Sequence, residues 1–359
     1  MTYRVVQWAT GNVGRAAIEG VLAHPDLELA GAYVYSPAKA GLDVGEICGI
    51  DPVGVVATDD VEAILALGAD CVVYSPMLAN PAEVTRLLES GLNMVTPVGW
   101  IYPFRSHDVA AVEAACRAGD ATLHGSGINP GGITEQIPLL LSAFCKDIRH
   151  VRAEEFSDIR TYDTELIVRD VMLFGKTPDE ARSSSMLSIL GDGFGQSMDM
   201  VADALGVTLD PDKRTTHEMA VTTVDLDTPV GVIETGTVAA QRFTWEGLID
   251  GEPFMTVRVN WLMGEEHLDP AWTFGPEGER FEVEFDAEPP LRASFHGMHP
   301  PSVETADLSR NEGILATAMH CVNAIPYVVE AEPGIRTYLD LPLMPGRAAI
   351  AGPGNLRPS

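Results

Sequence analysis

An apolar run, Arg4 to Trp8, leads directly into Thr10-Gly11-Asn12-Val13-Gly14-Arg15, and helical spacing follows to Ala23. A strand, a glycine turn and a helix in that order form a phosphate cradle. Gly11 lets the backbone approach a pyrophosphate, and Gly14 lets the helix pack closely on its sheet. Free N–H groups at the helix start then face the anion. The full G-x-G-x-x-G fingerprint would put its first glycine at position 9, where this chain has Ala9. The flanking strand and helix make the cradle a better reading than an ordinary tight turn.

The end of the second strand chooses between nicotinamide cofactors. NAD(H) calls for an Asp or Glu there, on the ribose hydroxyls. This chain has Tyr35-Ser36-Pro37-Ala38-Lys39, with no acid. Ser36 can donate a hydrogen bond, and Lys39 can pair with a 2′-phosphate. Up to residue 85 the cations are Arg4, Arg15 and Lys39, and the last two fall beside the expected phosphates. NADP(H) is therefore expected to be preferred, with NAD(H) possible. Further contacts are expected at other strand ends, where ligands of open α/β sheets bind. These are Tyr74-Ser75-Pro76, then Gly99-Trp100, then Asn129-Pro130 within Gly125 to Gly131.

Other constellations carry less. His296-x-x-His299 has a metal-like spacing, but Pro300-Pro301 follows and no third ligand is evident, so no metal is expected and both are read as surface or loop histidines. Gly125-Ser126-Gly127 lacks the nucleophile-elbow pattern. His320 and Cys321 sit among apolar residues of a helix, and Met186, Met198 and Met200 read as core filling.

The elements that must position these residues alternate at first. Strands are expected at Arg4–Trp8, Glu28–Tyr35, Asp70–Tyr74, Asn93–Val98 and Ala121–Gly125. Helices are expected at 15–23, 61–67, 81–90 and 107–118. Alternation of this kind implies a parallel sheet of right-handed crossovers. Near residue 150 strands begin to follow one another: 151–156, 220–225, 235–245, 254–263, 280–285 and 291–296, with a hairpin signal at Asp250-Gly251. Two helical stretches interrupt them, 177–190 and 194–205. A last helix runs from 311 to 329, and a Pro-rich tail from 332 to 359 is expected to end loosely. The expected fold class is α/β: a Rossmann-type parallel-sheet domain (1–135) plus an α+β domain with a mixed or antiparallel sheet (136–310). A C-terminal helix and tail (311–359) are expected to pack back on the first domain.

Composition supplies exclusions. The 359 residues carry 52 acidic and 23 basic side chains, a formal net charge of −29. A phosphate-backbone binder needs a basic stripe, so nucleic acid is not an expected partner, and an anionic membrane surface would be repelled. No apolar run is long enough to span a bilayer. Five scattered cysteines, Cys48, Cys71, Cys116, Cys145 and Cys321, make no Cys-x-x-Cys pair and read as reduced cytoplasmic thiols.

Five segments together resemble a known family. They are residues 10–15, Gly41-Leu42-Asp43-Val44-Gly45-Glu46, Gly68 to Tyr74, Gly127-Ile128-Asn129-Pro130-Gly131 and Val322-Asn323-Ala324-Ile325-Pro326. The chain resembles 2,4-diaminopentanoate dehydrogenases and the related native amine dehydrogenases, with an N-terminal third similar to that of dihydrodipicolinate reductases. The resemblance implies a nicotinamide-dependent enzyme that interconverts an amine with a ketone or aldehyde plus ammonia. It also implies a homodimer built through the second domain. Two departures matter. The dihydrodipicolinate reductase signature Glu-x-His-His-x-x-Lys-x-Asp corresponds to Glu155 to Asp163, where the acids match but the histidines and lysine do not. The amine dehydrogenases place a glutamate just after the strand that ends here at Val98, and this chain has Gly99-Trp100-Ile101-Tyr102-Pro103 instead.

Reductive amination needs a near-attack pose, an acid or base to move protons, and a carboxylate in a dry site to tolerate an iminium cation. With the usual acid missing, Asp163 and Tyr102 are the catalytic candidates, and Glu155 and Trp100 the expected pocket residues. Carbonyl or imine reduction without ammonia, or a non-catalytic NADP(H) sensor, stay open as alternatives.

Overall fold

The computed structural model describes residues 2–299 and 311–348. The segment that includes Pro300-Pro301, and the final residues of the tail, lie outside the described residues. A seven-stranded sheet comes first. Its strands are β1 (Tyr3–Trp8), β2 (Leu27–Tyr33), β3 (Ala57–Thr58), β4 (Cys71–Tyr74), β5 (Asn93–Thr96) and β6 (Thr122–Gly125), joined late in the chain by β16 (Gly334–Ile335). The spatial order is β16-β6-β5-β4-β1-β2-β3, with every pairing parallel. The order reverses between β1 and β4, which opens a crevice at the carboxyl ends of those strands.

Both faces of this sheet are covered, so its strands are apolar throughout rather than alternating. On β1, Val5 joins one hydrophobic cluster while Val6 and Trp8 join the other. The first cluster is completed by Ala17, Ile18 and Val21 of α1 (Asn12–Ala23) and by Ala318, Val322 and Ile325 of α9 (Glu312–Val329). The second is completed by α4 (Pro81–Glu89) and α5 (Ala110–Gly119). A Cβ on Gly20 would stand 2.6 Å from Met319 Sδ, so α1 and α9 touch through that glycine. The small helices α2 (Val44–Cys48) and α3 (Val61–Leu65) flank β3.

After β6 the chain passes through a π-helical turn (Gly132–Gln136) and α6 (Ile137–Ser142) into a second seven-stranded sheet. This sheet comprises β7 (Lys146–Asp158), β8 (Arg214–Thr222), β11 (Val238–Ile249), β12 (Glu252–Leu262), β13 (Leu268–Asp269), β14 (Arg280–Glu288) and β15 (Leu291–Phe295). Its order is β13-β8-β11-β12-β7-β14-β15; only β12 and β7 run parallel. A separate hairpin pairs β9 (Leu226–Thr228) with β10 (Gly231–Ile233). The fold class is thus the expected parallel sheet plus a mixed sheet. Strands β7 and β14 run longer than the apolar pattern suggested, and β8 begins six residues before the expected 220, because its first half is exposed and polar.

The helical stretches of this half differ from expectation. A break was expected at Gly191 and Gly193; instead α7 (Pro178–Ser183) ends at Ser184 and α8 (Met186–Ala204) runs through both glycines. A Cβ on Gly191 would lie 2.7 Å from Trp245 Nε1, and one on Gly193 3.2 Å from Pro130 Cγ. Those glycines allow close approach rather than ending the helix. Through them α8 lies on the sheet on one side and on the loop after β6 on the other.

Candidate active site

The glycine turn is built as a cradle. Gly11 is exposed at the start of α1, no side chain caps that helix, and its first turn carries no acid. A Cβ on Gly11 would meet nothing within 4 Å, while one on Gly14 would strike Ala9 O at 2.2 Å. The first glycine therefore leaves room for a ligand, and the second lets helix and strand meet. Ala9, in the place of the fingerprint's first glycine, takes φ +70, the left-handed region that glycine favours. Lys39 Nζ donates to Thr10 O at 3.1 Å and to Thr10 Oγ1 at 3.2 Å. Arg15 Nη2 donates to Asn12 Oδ1 at 2.5 Å. Among the described residues, Arg4, Arg15, Lys39 and Arg336 are the lysines and arginines with no carboxylate partner. In a chain of net charge −29, two unpaired cations beside one helix N-terminus fit an anionic dinucleotide.

The other strand ends line the same crevice unequally. Ser36 is exposed at the end of β2. Ser75 Oγ accepts from Gln7 Nε2 at 2.8 Å, and the buried Gln7 Oε1 has no donor among the described residues. Pro76 is buried beside it. Tyr74 does not present its side chain: the ring is in the core, and its hydroxyl donates to Glu83 at 2.9 Å and accepts from Asn80 N. Gly99 and Trp100 both have positive φ, +85 and +54. Their loop lies against Gly125, where a Cβ would be 2.4 Å from the Trp100 carbonyl carbon. Trp100 packs partly into the second hydrophobic cluster rather than standing free.

The catalytic candidates part company. Tyr102 turns its hydroxyl to Asp203 Oδ2 at 2.6 Å, beside Arg105, and burial together with that carboxylate pushes it up to about 12. It is a strut to α8. Asp163 is exposed and accepts from Asn12 Nδ2 at 3.2 Å, at the rim of the glycine turn. Glu155 lies elsewhere, deep on the helix-covered face of β7. That strand alternates, sending Val151, Ala153, Glu155 and Ser157 to one face.

Around Glu155 is a cavity of about 180 Å³ whose walls include Ile128, Asn129, Ser157, Asp158, Tyr162, Trp261, Phe281, Met298, His299 and Thr317. Glu155 Oε2 accepts from Asn129 Nδ2 at 2.6 Å; Oε1 accepts from Trp261 Nε1 and Ser157 Oγ, each at 2.8 Å. Burial raises its carboxyl above the usual range, and the three donors hold it down. Ser157 Oγ also meets His299 Nε2 at 2.8 Å. Burial lowers that histidine to about 4, so the ring is neutral. Trp261, Ser157 and His299 were not anticipated. His299 had been read as a surface or loop histidine, yet it lines this cavity, because the turn after β15 folds it onto Phe281. Among the described residues no cluster of metal-ligand side chains forms.

A second buried acid lies beneath the loop after β6. Glu135 Oε2 accepts from Gly131 N at 2.5 Å and Thr134 Oγ1 at 2.6 Å, and Oε1 meets Ser197 Oγ of α8. Burial pushes it up to about 7. Gly131, at φ +133, would put a Cβ 2.1 Å from Gly127 O, so the loop closes on itself through that glycine. His320 of α9 bonds Gly127 O at 2.6 Å. Asn129 and Pro130 are thus held from below by Glu135 and from α9 by His320.

Comparison with known proteins places this arrangement. The chain is 35% identical over 362 residues to an amine dehydrogenase of Streptomyces virginiae, covering 95% of this chain and 96% of that one. The chain belongs to the amine dehydrogenase family. The sequence profile of the 2,4-diaminopentanoate dehydrogenase C-terminal domain matches residues 133–260 and 296–352, and that of the dihydrodipicolinate reductase N-terminus matches residues 5–96. A 2,4-diaminopentanoate dehydrogenase of Acetoanaerobium sticklandii is 23% identical over 73% of this chain and 69% of its own. The solved structure of an amine dehydrogenase from Mycobacterium smegmatis shares the fold, with a TM-score of 0.76 at 22% identity over 97% of this chain and 98% of that one. Within this amine dehydrogenase family, the chain carries no acid where the resemblance implied one, at Gly99-Trp100. It carries Glu155 at the wall of a cavity instead.

Proposed function

We propose that the chain is an NAD(P)-dependent oxidoreductase acting on CH–NH2 groups: an amine dehydrogenase that reductively aminates small ketones or aldehydes with ammonia and runs the reverse deamination. One observation carries the reading. The phosphate cradle at the start of α1 follows β1, and the loop after β6 of the same parallel sheet carries Asn129, which bonds the carboxylate of the cavity. The cofactor, when bound, supplies or accepts hydride. The protein's part is to hold it and to keep a carboxylate close by. Thr10 to Arg15, Ser36, Lys39, Ser75, Pro76, Gly99, Asn129 and Pro130 are the residues proposed to hold it, while the buried Tyr74 contributes backbone alone.

NADP(H) is the proposed preference. Two cations without carboxylate partners, Arg15 and Lys39, support it, as does the absence of an acid between Tyr35 and Lys39. A homodimer is proposed through the face of the second sheet opposite α8. That face carries an ion-pair ladder of Arg152 with Glu154 and Glu284, Arg242 with Glu218, and Arg214 with Glu246. Light scattering on the purified protein tests it. Five unpaired thiols support a reducing, cytoplasmic setting; no helix among the described residues is long and apolar enough to cross a membrane.

The deciding experiment is NADPH oxidation with cyclohexanone, with and without ammonium. Turnover that requires ammonium is expected. Equal rates without ammonium would replace the reading by carbonyl reduction, and tight NADPH binding with no turnover by a sensor.

A further inference from the structure

The amine dehydrogenase reading leaves one chemical role unfilled in this chain, because the loop after β5 offers no acid. We propose that Glu155 is the catalytic carboxylate: it carries the protons of carbinolamine formation and collapse, and then pairs with the iminium.

Four observations support the assignment. The side chain is buried at a cavity wall, where water is scarce and charge interactions are strong. The Asn129 bond, at 2.6 Å, ties it to the loop at the carboxyl end of β6, the wall of the cofactor crevice. Among the described residues no lysine or arginine lines the cavity, so none of them neutralises the carboxylate in place of a substrate cation. Finally, two acceptors among the cavity residues have no donor among the described residues. Ser157 has one proton, and giving it to Glu155 makes its oxygen accept from His299 Nε2–H. The neutral ring then has a bare lone pair at Nδ1, and that atom is buried without a partner among the described residues. Asn129 Oδ1 is likewise buried without a donor among those residues. Unmet acceptors around a carboxylate favour a ligand made of N–H donors, which ammonium, an iminium and a primary ammonium all are.

The steps balance. The Glu155 carboxylate takes a proton from ammonium. The ammonia released adds to the carbonyl carbon, forming the C–N bond while the carbonyl oxygen becomes a hydroxyl. Glu155 returns its proton to that hydroxyl, the C–O bond breaks, and water leaves as the nitrogen lone pair forms the iminium. Hydride reaches the carbon from NAD(P)H, and the amine takes one proton from solvent. Ketone, ammonium, NAD(P)H and one proton thus become alkylammonium, NAD(P)+ and water.

The proposal rests on the amine dehydrogenase reading, so the test starts with the wild type. Glu155→Gln is expected to lower kcat for cyclohexanone amination by about 100-fold or more, the usual scale of a proton-transferring side chain, with NADPH binding by fluorescence unchanged. Calorimetry of cyclohexylammonium with the NADPH-loaded enzyme, which cannot turn over, is expected to show at least about tenfold weaker binding in the variant. Glu155→Asp, which keeps the charge, is expected to recover part of both. A Glu155→Gln enzyme that folds, binds NADPH and retains more than half the wild-type kcat overturns the proposal. So does unaltered cyclohexylammonium binding. If the wild type turns over nothing, it is the amine dehydrogenase reading that fails, while the binding measurement still judges the carboxylate.

Discussion

Asn129 Nδ2 donates to Glu155 Oε2 at 2.6 Å, joining the loop after β6 to the second sheet. The other amide atom, Asn129 Oδ1, is buried with no donor among the described residues. Replacing Asn129 with Leu removes both. The cost expected is about 1–3 kcal/mol of stability from the buried carboxylate's lost donor, read as a lower midpoint in urea. Amine turnover should fall further than stability explains, because the crevice wall and the cavity lose their common tether. Unchanged kcat would show that the tether is structural alone.

Ser157→Ala tests the electrostatics of the cavity. Ser157 and the other donors hold the Glu155 carboxyl down against burial. Removing one moves its pKa up. Pairing with an ammonium substrate needs the carboxylate, so the acid limb of kcat/KM for amine oxidation is expected to shift to higher pH. The neighbouring ionisable groups are Asp158 with Arg160 on it, Glu279, Tyr162 and His299. A limb that stays in place assigns it to one of those groups.

Lys39→Ala tests cofactor choice. A hydrogen bond to a charged group contributes about 1.5–3 kcal/mol, so KM for NADPH is expected to rise roughly 10-fold to 100-fold. KM for NADH, which lacks the 2′-phosphate, should move little. Equal changes for both cofactors would move Lys39 from the 2′-phosphate to the pyrophosphate they share.

Glu135→Gln tests pH-dependent stability. Burial raises this carboxyl from 4.5 to about 7. The folded state therefore binds more protons than the unfolded state between those pH values, and stability falls as pH rises through that window. The loss is about 3 kcal/mol above pH 7. A neutral acid at Oε1 would donate to Ser197 Oγ, whose proton goes to Gly193 O at 3.2 Å, and a Gln amide can do the same. The variant is expected to match the wild type near pH 5 and to melt higher at pH 8. A constant Tm difference across pH would contradict the assignment.

Tyr102→Phe should separate a strut from a catalyst. Its hydroxyl is on Asp203, away from the Glu155 cavity. About 1 kcal/mol of stability should be lost, with kcat changed less than about twofold. A large fall in kcat would return Tyr102 to the chemistry.

The sequence by itself determined what local rules govern. Apolar runs bounded by turns marked the parallel strands, and the spacing of Gly11 and Gly14 marked the cradle, because strand, turn and helix are adjacent in the chain. The expected strand 151–156 held Glu155 but stopped short of Ser157, which the longer β7 places on the same face. Tertiary structure decided what those residues do. The donors to Glu155 come from Asn129, in the loop after β6, and Trp261, on the neighbouring strand β12, 26 and 106 positions away, and no periodicity reports a contact between segments so far apart in the chain. His299 was misread for that reason. Gly191 and Gly193 looked like helix breaks, yet they are where α8 closes on Trp245 and Pro130. A missing Cβ reads the same in sequence whether it loosens a helix or lets it approach, and only the neighbour in space tells the two apart.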